Sequence, residues 1–378
     1  MNLPATPRIP LLTRGTLAAA AVMACAALVF FVTHGYQTGW RLTGEHWDAG
    51  YYFKIATSGY RADPTQALLA FLPGYPIFLA PAAQLLPNHP FLASFITSSI
   101  LSIIGGAALY RLLRRRLDAW TSLAGIALLA FSPFSIYLYN GYSESAFLLA
   151  AALALVWLAG GRPVPAALAT GYAFLCRPYA LALAVLFIPV AWRLLRERDI
   201  WKLGWIVVLG TLPTLLYCAY LYHAFGDPFI PLKSLADWHK YQSISHAWPR
   251  PIRTLYAFLF AFRDSSPGSW SLSLAMYPLA ACATLAAAAR LPARLVVYSL
   301  LVLACVYLTD ALIPLNLGRH AMLAFATGPA LAAVIYGRER GPAWTAAAQH
   351  AAFAIAFLFF MGTFIVMGIH FSLGQWVS

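Results

Sequence analysis

Apolar runs of membrane-crossing length recur from one end of this chain to the other. They lie at about 15–34, 91–113, 120–139, 144–160, 163–176, 178–195, 200–222, 268–289, 295–312, 319–336 and 344–371. Crossing a bilayer's hydrocarbon core takes roughly 20 apolar helical residues. Within that core a helix satisfies its own backbone polar groups, which is why helices span it. The runs therefore predict an all-α fold, a polytopic membrane bundle of about 11 transmembrane helices. Composition points the same way. Apolar types make up 61% of the 378 residues and charged types 10%, against roughly 45–50% and 25% in soluble chains. A cytosolic enzyme, a disulfide-stapled secreted domain and a disordered linker are excluded. The first run follows Arg8 and Arg14 but is too long for a signal-peptide core, so a retained anchor is expected. Cys25, Cys176, Cys218, Cys282 and Cys305 form no metal or redox spacing and read as small core hydrophobes.

The net charge of +13 carries topology, not nucleic-acid binding. Cytoplasmic loops of membrane proteins collect Lys and Arg. With the N-terminus inside, Arg111, Arg114–Arg116, Arg162, Arg193, Arg196, Arg198, Arg290 and Arg294 all fall inside. Glu45, Asp48, Asp63, Glu144, Asp227, Asp237, Asp264 and Asp310 fall outside. So do all the histidines except His350. If segment 67–87 crossed the membrane, RLLRRR (111–116) would be put outside, so 35–90 is expected to be one long outer loop. A second outer loop runs from 223 to 267. No repeat or soluble domain interrupts the chain, and 1–378 reads as a single membrane domain.

The first outer loop holds EHWDAGYYFKIATSGY (45–60). Its aromatic and apolar residues predict an interfacial helix over about 47–58. Asp48 stands near the start of that helix, where a carboxylate is favoured for local reasons alone.

WDAGYYFKIATSGY followed by AFLPGYP (70–76) resembles the PIG-V-like mannosyltransferases, the second mannosyltransferases of GPI-anchor assembly, and their prokaryotic relatives. Further segments match in order: YNGYSESAF (139–147), CRPYALAL (176–183), FGDPFIPLKSLADWHK (225–240) and GRHAMLAFA (318–326). In the last, His320 stands where Tyr is commoner. The resemblance covers about residues 45–326 and implies a GT-C glycosyltransferase. Such an enzyme takes its sugar, here mannose, from a polyprenyl-phosphate-sugar and works on the outer face of the membrane. A lipid or glycan would be the acceptor, and neither a nucleic acid nor a cofactor is implied.

An inverting transfer needs few protein groups. A base takes the acceptor hydroxyl's proton, and a cation holds the departing phosphate. By position and pattern Asp48 is the expected base and Glu144 a second catalytic carboxylate, able to orient Asp48 or hold the acceptor. Arg177 and Arg319 sit at outer span ends, against the charge trend, and a guanidinium grips phosphate oxygens two at a time. They are the phosphate candidates; snorkelling, or a salt bridge with Asp310, is their plain structural alternative. Trp47, Tyr52, Tyr75, Tyr142, Lys233, His239 and His320 complete the substrate contacts that the motifs imply. Asp227 reads as a turn residue. Glu45, His46 and Asp48 do not make a diagnostic metal site, and no metal is expected. The rival class is a lipid or lipid-linked-sugar transporter. Such proteins place ionisable groups mid-span and repeat internally, and here only His350 falls mid-span.

Overall fold

The computed structural model of the chain describes residues 13–39, 47–62, 67–234, 269–310, 317–337 and 343–374. Among them every regular element is helical. The helices are α1 (Arg14–Thr38), α2 (Asp48–Ser58), α3 (Gly74–Leu85), α4 (Pro90–Leu113), α5 (Ala119–Ala130), α6 (Glu144–Ala159), α7 (Pro163–Cys176), α8 (Leu181–Val185), α9 (Ile188–Glu197) and α10 (Ile200–Phe225). They continue as α11 (Ser269–Ala286), α12 (Ala293–Asp310), α13 (Leu317–Ala321), α14 (Thr327–Tyr336) and α15 (Ala343–Ser372).

Four of these, α1, α4, α10 and residues 345–372 of α15, are long and apolar enough to cross a membrane. A fifth span arises if the bent α8–α9 pair is taken as one. The other apolar helices are shorter than the runs predicted, and prolines explain two of the breaks. Run 120–139 stops as α-helix at Ala130 because Ser132 precedes Pro133 and is held extended, at ψ 146°. The chain continues as a tighter 3-10 turn, Pro133–Leu138. Run 178–195 bends by 41° ahead of Pro189, which has no N–H for the helix ladder. Run 319–336 breaks at Phe325, which takes a left-handed φ of 53° between a 3-10 turn and α14.

Segment 67–87 folds as a 3-10 turn and then α3. At 12 residues, α3 is about 18 Å long, against roughly 30 Å of hydrocarbon. Tyr75, at its start, donates its hydroxyl to the Ser94 carbonyl 3.2 Å away, about one turn inside α4. From there α3 runs back toward the first turn of α4.

The bundle core pairs α4 with α6, α6 with α7, α7 with α10, α5 with α14 and α1 with α4. Small residues let the backbones meet, as membrane helices require. A Cβ on Gly171 of α7 would run into the Gly210 carbonyl of α10. The outside stays apolar: on α10, Trp205, Val207, Leu215 and Leu216 are all at least half exposed. Water would not tolerate such a face; lipid does. Cys176 is buried, but Cys25 and Cys282 lie on this outer surface, so the expectation of five core cysteines holds only in part.

The charges are polarised along α6. Glu144 opens it, while Arg115 and Arg294 donate to the carbonyls of Ala159 and Leu158 at its other end. About 22 Å of helix separates them. Both ends obey the helix dipole, which favours an anion at the start and cations at the finish.

Candidate active site

Four stretches far apart in sequence meet above the start of α6. The turn NGYSE (140–144) is the floor. Gly141 has to be small, because a Cβ there would lie 2.9 Å from both the Ala49 Cβ and the Ser94 Oγ. That close approach seats the first turn of α2, and with it Asp48, against the turn that leads into Glu144. Trp47, just before α2, is held at φ 59° and ψ −130°. Such a backbone is costly for a bulky residue, so the packing of α2 fixes where Asp48 stands.

Glu144 is completely buried. One oxygen, Oε1, accepts from Arg319 Nε at 2.5 Å and from Arg177 Nη2 at 2.8 Å. Arg319 then reaches Asp48, its Nη1 donating to Oδ2 at 3.0 Å. Its guanidinium lies 4.5 Å from the ring centres of both Tyr137 and Tyr142, which meet edge to face at 4.8 Å and form a corner around it. Arg177 donates from Nε to Ser143 Oγ at 2.8 Å and lies 3.2 Å, Nη1 to Nε2, from His320. Tyr52 donates to the same Ser143 oxygen at 3.1 Å, and the Tyr179 hydroxyl pairs with His320 Nδ1 at 3.1 Å. Two carboxylates thus balance two guanidiniums in a nearly dry setting, the arrangement that makes buried charge tolerable.

Exposure separates the roles these groups can take. The Arg319 side chain is 2% exposed, Arg177 14%, Asp48 24% and Glu144 0%. Asp48 offers an oxygen outward: among the described residues only its Oδ2 is engaged. Glu144 is fully buried and serves as the shared counter-ion of Arg177 and Arg319. Arg319 is walled in by two rings and holds Asp48, so it suits the setting of the carboxylate better than the gripping of phosphate. Its partners are Asp48 and Glu144; the side chain of Asp310 lies outside the described residues. Arg177 is the guanidinium with surface to spare. Burial works against its charge, but the Glu144 carboxylate more than compensates and the net direction is upward. Burial pushes the Tyr52 hydroxyl up to about 12, so it stays a neutral donor.

Other expected contacts fall elsewhere. Tyr75 is fully buried and bonds within the bundle, to the Ser94 carbonyl and to Ser98 Oγ at 2.8 Å, which ties α3 to α4. Tyr142 is likewise buried, beneath Arg319. Trp47 is 45% exposed. Lys233 pairs at the surface with Asp227 at 2.6 Å. Glu45, His46, His239 and Lys240 lie outside the described residues. Sequence reasoning missed Tyr137, Ser143 and Tyr179. Each lies within or beside a motif already singled out, but nothing in the pattern distinguishes a ring that stacks on a cation from one that fills a core. Among the described residues no three metal-capable side chains meet.

Beside the cluster, α2, α3, α7 and α10 enclose an apolar groove of about 580 Å³, lined by Ile55, Ala56, Pro76, Leu175, Leu216 and Tyr217 among others. Among the described residues no charged side chain lines it. Leu175 stands two residues before Arg177, and Ile55 shares α2 with Asp48.

No family model and no curated protein matches the chain. Solved structures do. It is similar to the apo oligosaccharyltransferase of Archaeoglobus fulgidus with a TM-score of 0.56 at 13% identity, over 95% of this chain and 56% of that one. It is similar to the same organism's oligosaccharyltransferase AglB in complex with an inhibitory peptide and a dolichol-phosphate, with a TM-score of 0.53 at 13% identity, over 95% and 56%. A third, tethered to an acceptor peptide containing the NVT sequon, gives 0.53 at 14%, over 95% and 55%. The chain thus spans little more than half the length of the structures it matches, and at this identity the likeness is one of fold.

Proposed function

We propose that the chain is a membrane glycosyltransferase of the GT-C type, related to the PIG-V-like mannosyltransferases. It transfers a sugar, mannose by the motif resemblance, from a polyprenyl-phosphate-sugar to a lipid or glycan hydroxyl. The reaction runs on the extracytoplasmic face of a prokaryotic plasma membrane. The observation that carries this reading is the Asp48 carboxylate, held by Arg319 through one oxygen and open through the other, a few side chains from the more exposed Arg177. The fold shared with oligosaccharyltransferases, one of them bound to a dolichol-phosphate, supports the substrate class.

In the proposed reaction the acceptor oxygen attacks the anomeric carbon as the carbon–phosphate-oxygen bond breaks. The bonding pair leaves with the lipid phosphate, and the hydroxyl proton passes to Asp48 Oδ1. Arg177 meets the extra negative charge that gathers on the phosphate. Arg319, Tyr137 and Tyr142 keep Asp48 in its orientation, and Glu144 keeps the two guanidiniums from repelling each other. The apolar groove beside Arg177 receives the isoprenoid tail, so phosphate and tail lie on either side of the end of α7. Membranes containing the protein should transfer labelled mannose from polyprenyl-phosphate-mannose to a lipid-extractable or glycan product. Transfer at the rate of control membranes would refute the reading.

A further inference from the structure

At the end of α6 opposite Glu144, two arginines from distant stretches close the same helix. Arg115, just past α4, donates from Nη1 to the Ala159 carbonyl at 2.7 Å. Arg294, in the first turn of α12, donates from Nη1 to the preceding carbonyl, that of Leu158, at 2.5 Å. One peptide separates the two contacts, so two guanidiniums share one helix end. Among the described residues neither side chain has a second hydrogen-bond partner, and each keeps its Nε and Nη2 edge. Arg193 on α9 is near enough to act on the charge of Arg294, as Arg115 is, and Arg111 acts on Arg115. Arg193 pairs loosely at the surface with Glu197, 3.8 Å away. Like charges gathered in this way repel. The dipole at the end of α6, about half an elementary charge, offsets less than one of them.

The acids of this side do not change its sign. Over the whole sequence, the side that the charge sorting puts inside carries fifteen Lys and Arg against four acids, Asp118, Glu197, Asp199 and Glu339. Asp118 caps α5 and Asp199 caps α10. Glu197 faces Arg193. The side chain of Glu339 lies outside the described residues, but Arg338 and Arg340 flank it in sequence and outweigh it.

An apolar border adjoins these charges. On α9, Val190 and Leu194 pack inward with Ala167 and Ile206. Ile188, Trp192 and Leu195, at i, i+4 and i+7, stand exposed, and the Arg196 guanidinium lies over Trp192, 4.9 Å from the ring centre. A helix with an outward apolar stripe, a Trp and arginines suits the headgroup level of a bilayer. An anion that meets the arginines at that level is one carried by the membrane. We infer that Arg115, Arg193 and Arg294 form a binding site for the phosphate head of an anionic lipid in the inner leaflet, with the lipid's chains along the exposed stripe of α9. The guanidinium edges grip phosphate oxygens, and the bound anion relieves the repulsion among the three arginines. About 22 Å of α6 separates the site from Glu144, so it does not depend on the transferase reading.

The test titrates dioleoyl phosphatidylglycerol and dioleoyl phosphatidylcholine into the full chain in detergent, with bound lipid counted by native mass spectrometry. One arginine beside an anionic headgroup is worth about fivefold in affinity, so the natural protein should bind the glycerol lipid about thirtyfold or more tighter than the choline lipid. Arg115→Gln with Arg294→Gln should weaken the glycerol lipid about twentyfold and leave the choline lipid within about threefold. Arg198→Gln with Lys202→Gln, which removes the same charge from the same side, should weaken it less than about fivefold. Arg115→Lys with Arg294→Lys, which keeps both charges, should stay within about fivefold of the natural protein. Equal binding of the two lipids by the natural protein would overturn the inference. So would a loss in the Arg198 and Lys202 pair that matches the Gln pair, which would make the effect one of diffuse charge, or a Lys pair that loses as much as the Gln pair. Displacement of the lipid by an equal concentration of glycerol phosphate would overturn it too, by making the ligand a soluble phosphate. If the Gln pair fails to fold, the natural protein, the Lys pair and the displacement still decide.

Discussion

Glu144→Gln removes the one anion that two guanidiniums share. Each contact, at 2.5 and 2.8 Å, is a Coulomb attraction of about 6 kcal/mol at an effective dielectric near 20. Both end on the same oxygen, so the two contacting nitrogens are about 5 Å apart at most, and their mutual repulsion would be about 3 kcal/mol once the anion is gone. The cost of burying the carboxylate offsets much of the loss. What remains should match the usual result of breaking a buried pair, about 3–5 kcal/mol. At roughly 2–4 °C per kcal/mol, the protein in detergent should melt on the order of 10 °C lower, followed by helical circular dichroism. The same variant should lose donor binding, because Arg177 loses its main tether. A double variant with Arg319→Met should be less damaged than the two single losses together, since one stranded cation is gone. A shift of under about 2 °C with donor binding intact would refute the reasoning, because Glu144 would then not be the counter-ion that sets both arginines.

Three other outcomes follow from the packing. Gly141→Ala should lift the first turn of α2 off the NGYSE turn, cutting turnover more than about tenfold while melting within a few degrees of the natural protein; unchanged turnover would show that Asp48 does not depend on that contact. Leu216→Trp should fill the groove, and the donor KM should rise for long-chain but not for two-isoprene donors; an equal effect on both would place the tail elsewhere. Asp118→Ala removes the cap that accepts from the Thr121 amide at 3.0 Å and should cost about 1 kcal/mol of stability. Burial tends to raise the Asp118 carboxyl, but hydrogen bonds from Thr121 and Trp120 outweigh it and the net direction is down. Its contribution is therefore present above the ordinary aspartate value and fades as pH falls through the lowered one. A natural protein and variant that differ equally at neutral and strongly acid pH would contradict this.

What the chain spelled out in advance was set by physics that leaves marks in one dimension. Hydrocarbon demands long apolar runs, and α1, α4 and α10 stand where such runs stood. The breaks at Pro133 and Pro189 were equally visible as residues, but a run's hydropathy does not fall at a proline, so the helices were expected to be longer than they are. Glu144, Arg177 and Arg319 were singled out as charges at outer span ends, and Asp48 by its place in the first-loop motif. Their pairing was not legible, because which carboxylate meets which guanidinium depends on how α2 and α13 dip toward α6. The contact of α2 with Gly141 decides that, and no periodicity records it. Tyr75 marks another limit: its burial and its hydrogen bonds to Ser94 and Ser98 inside the bundle leave no trace in the motif that contains it.

The central claim is that Asp48 takes the acceptor's proton while other groups hold the donor. The most direct measurement compares Asp48→Asn with the natural protein for two quantities: transfer from labelled polyprenyl-phosphate-mannose, and binding of the same donor without acceptor. Asparagine keeps the shape and an oxygen for Arg319 but is no base. The account predicts a fall in transfer of about a hundredfold or more, the scale of a lost general base, with donor binding within a few-fold of the natural protein. Transfer that survives the substitution, or a loss of binding that matches the loss of transfer, would contradict it.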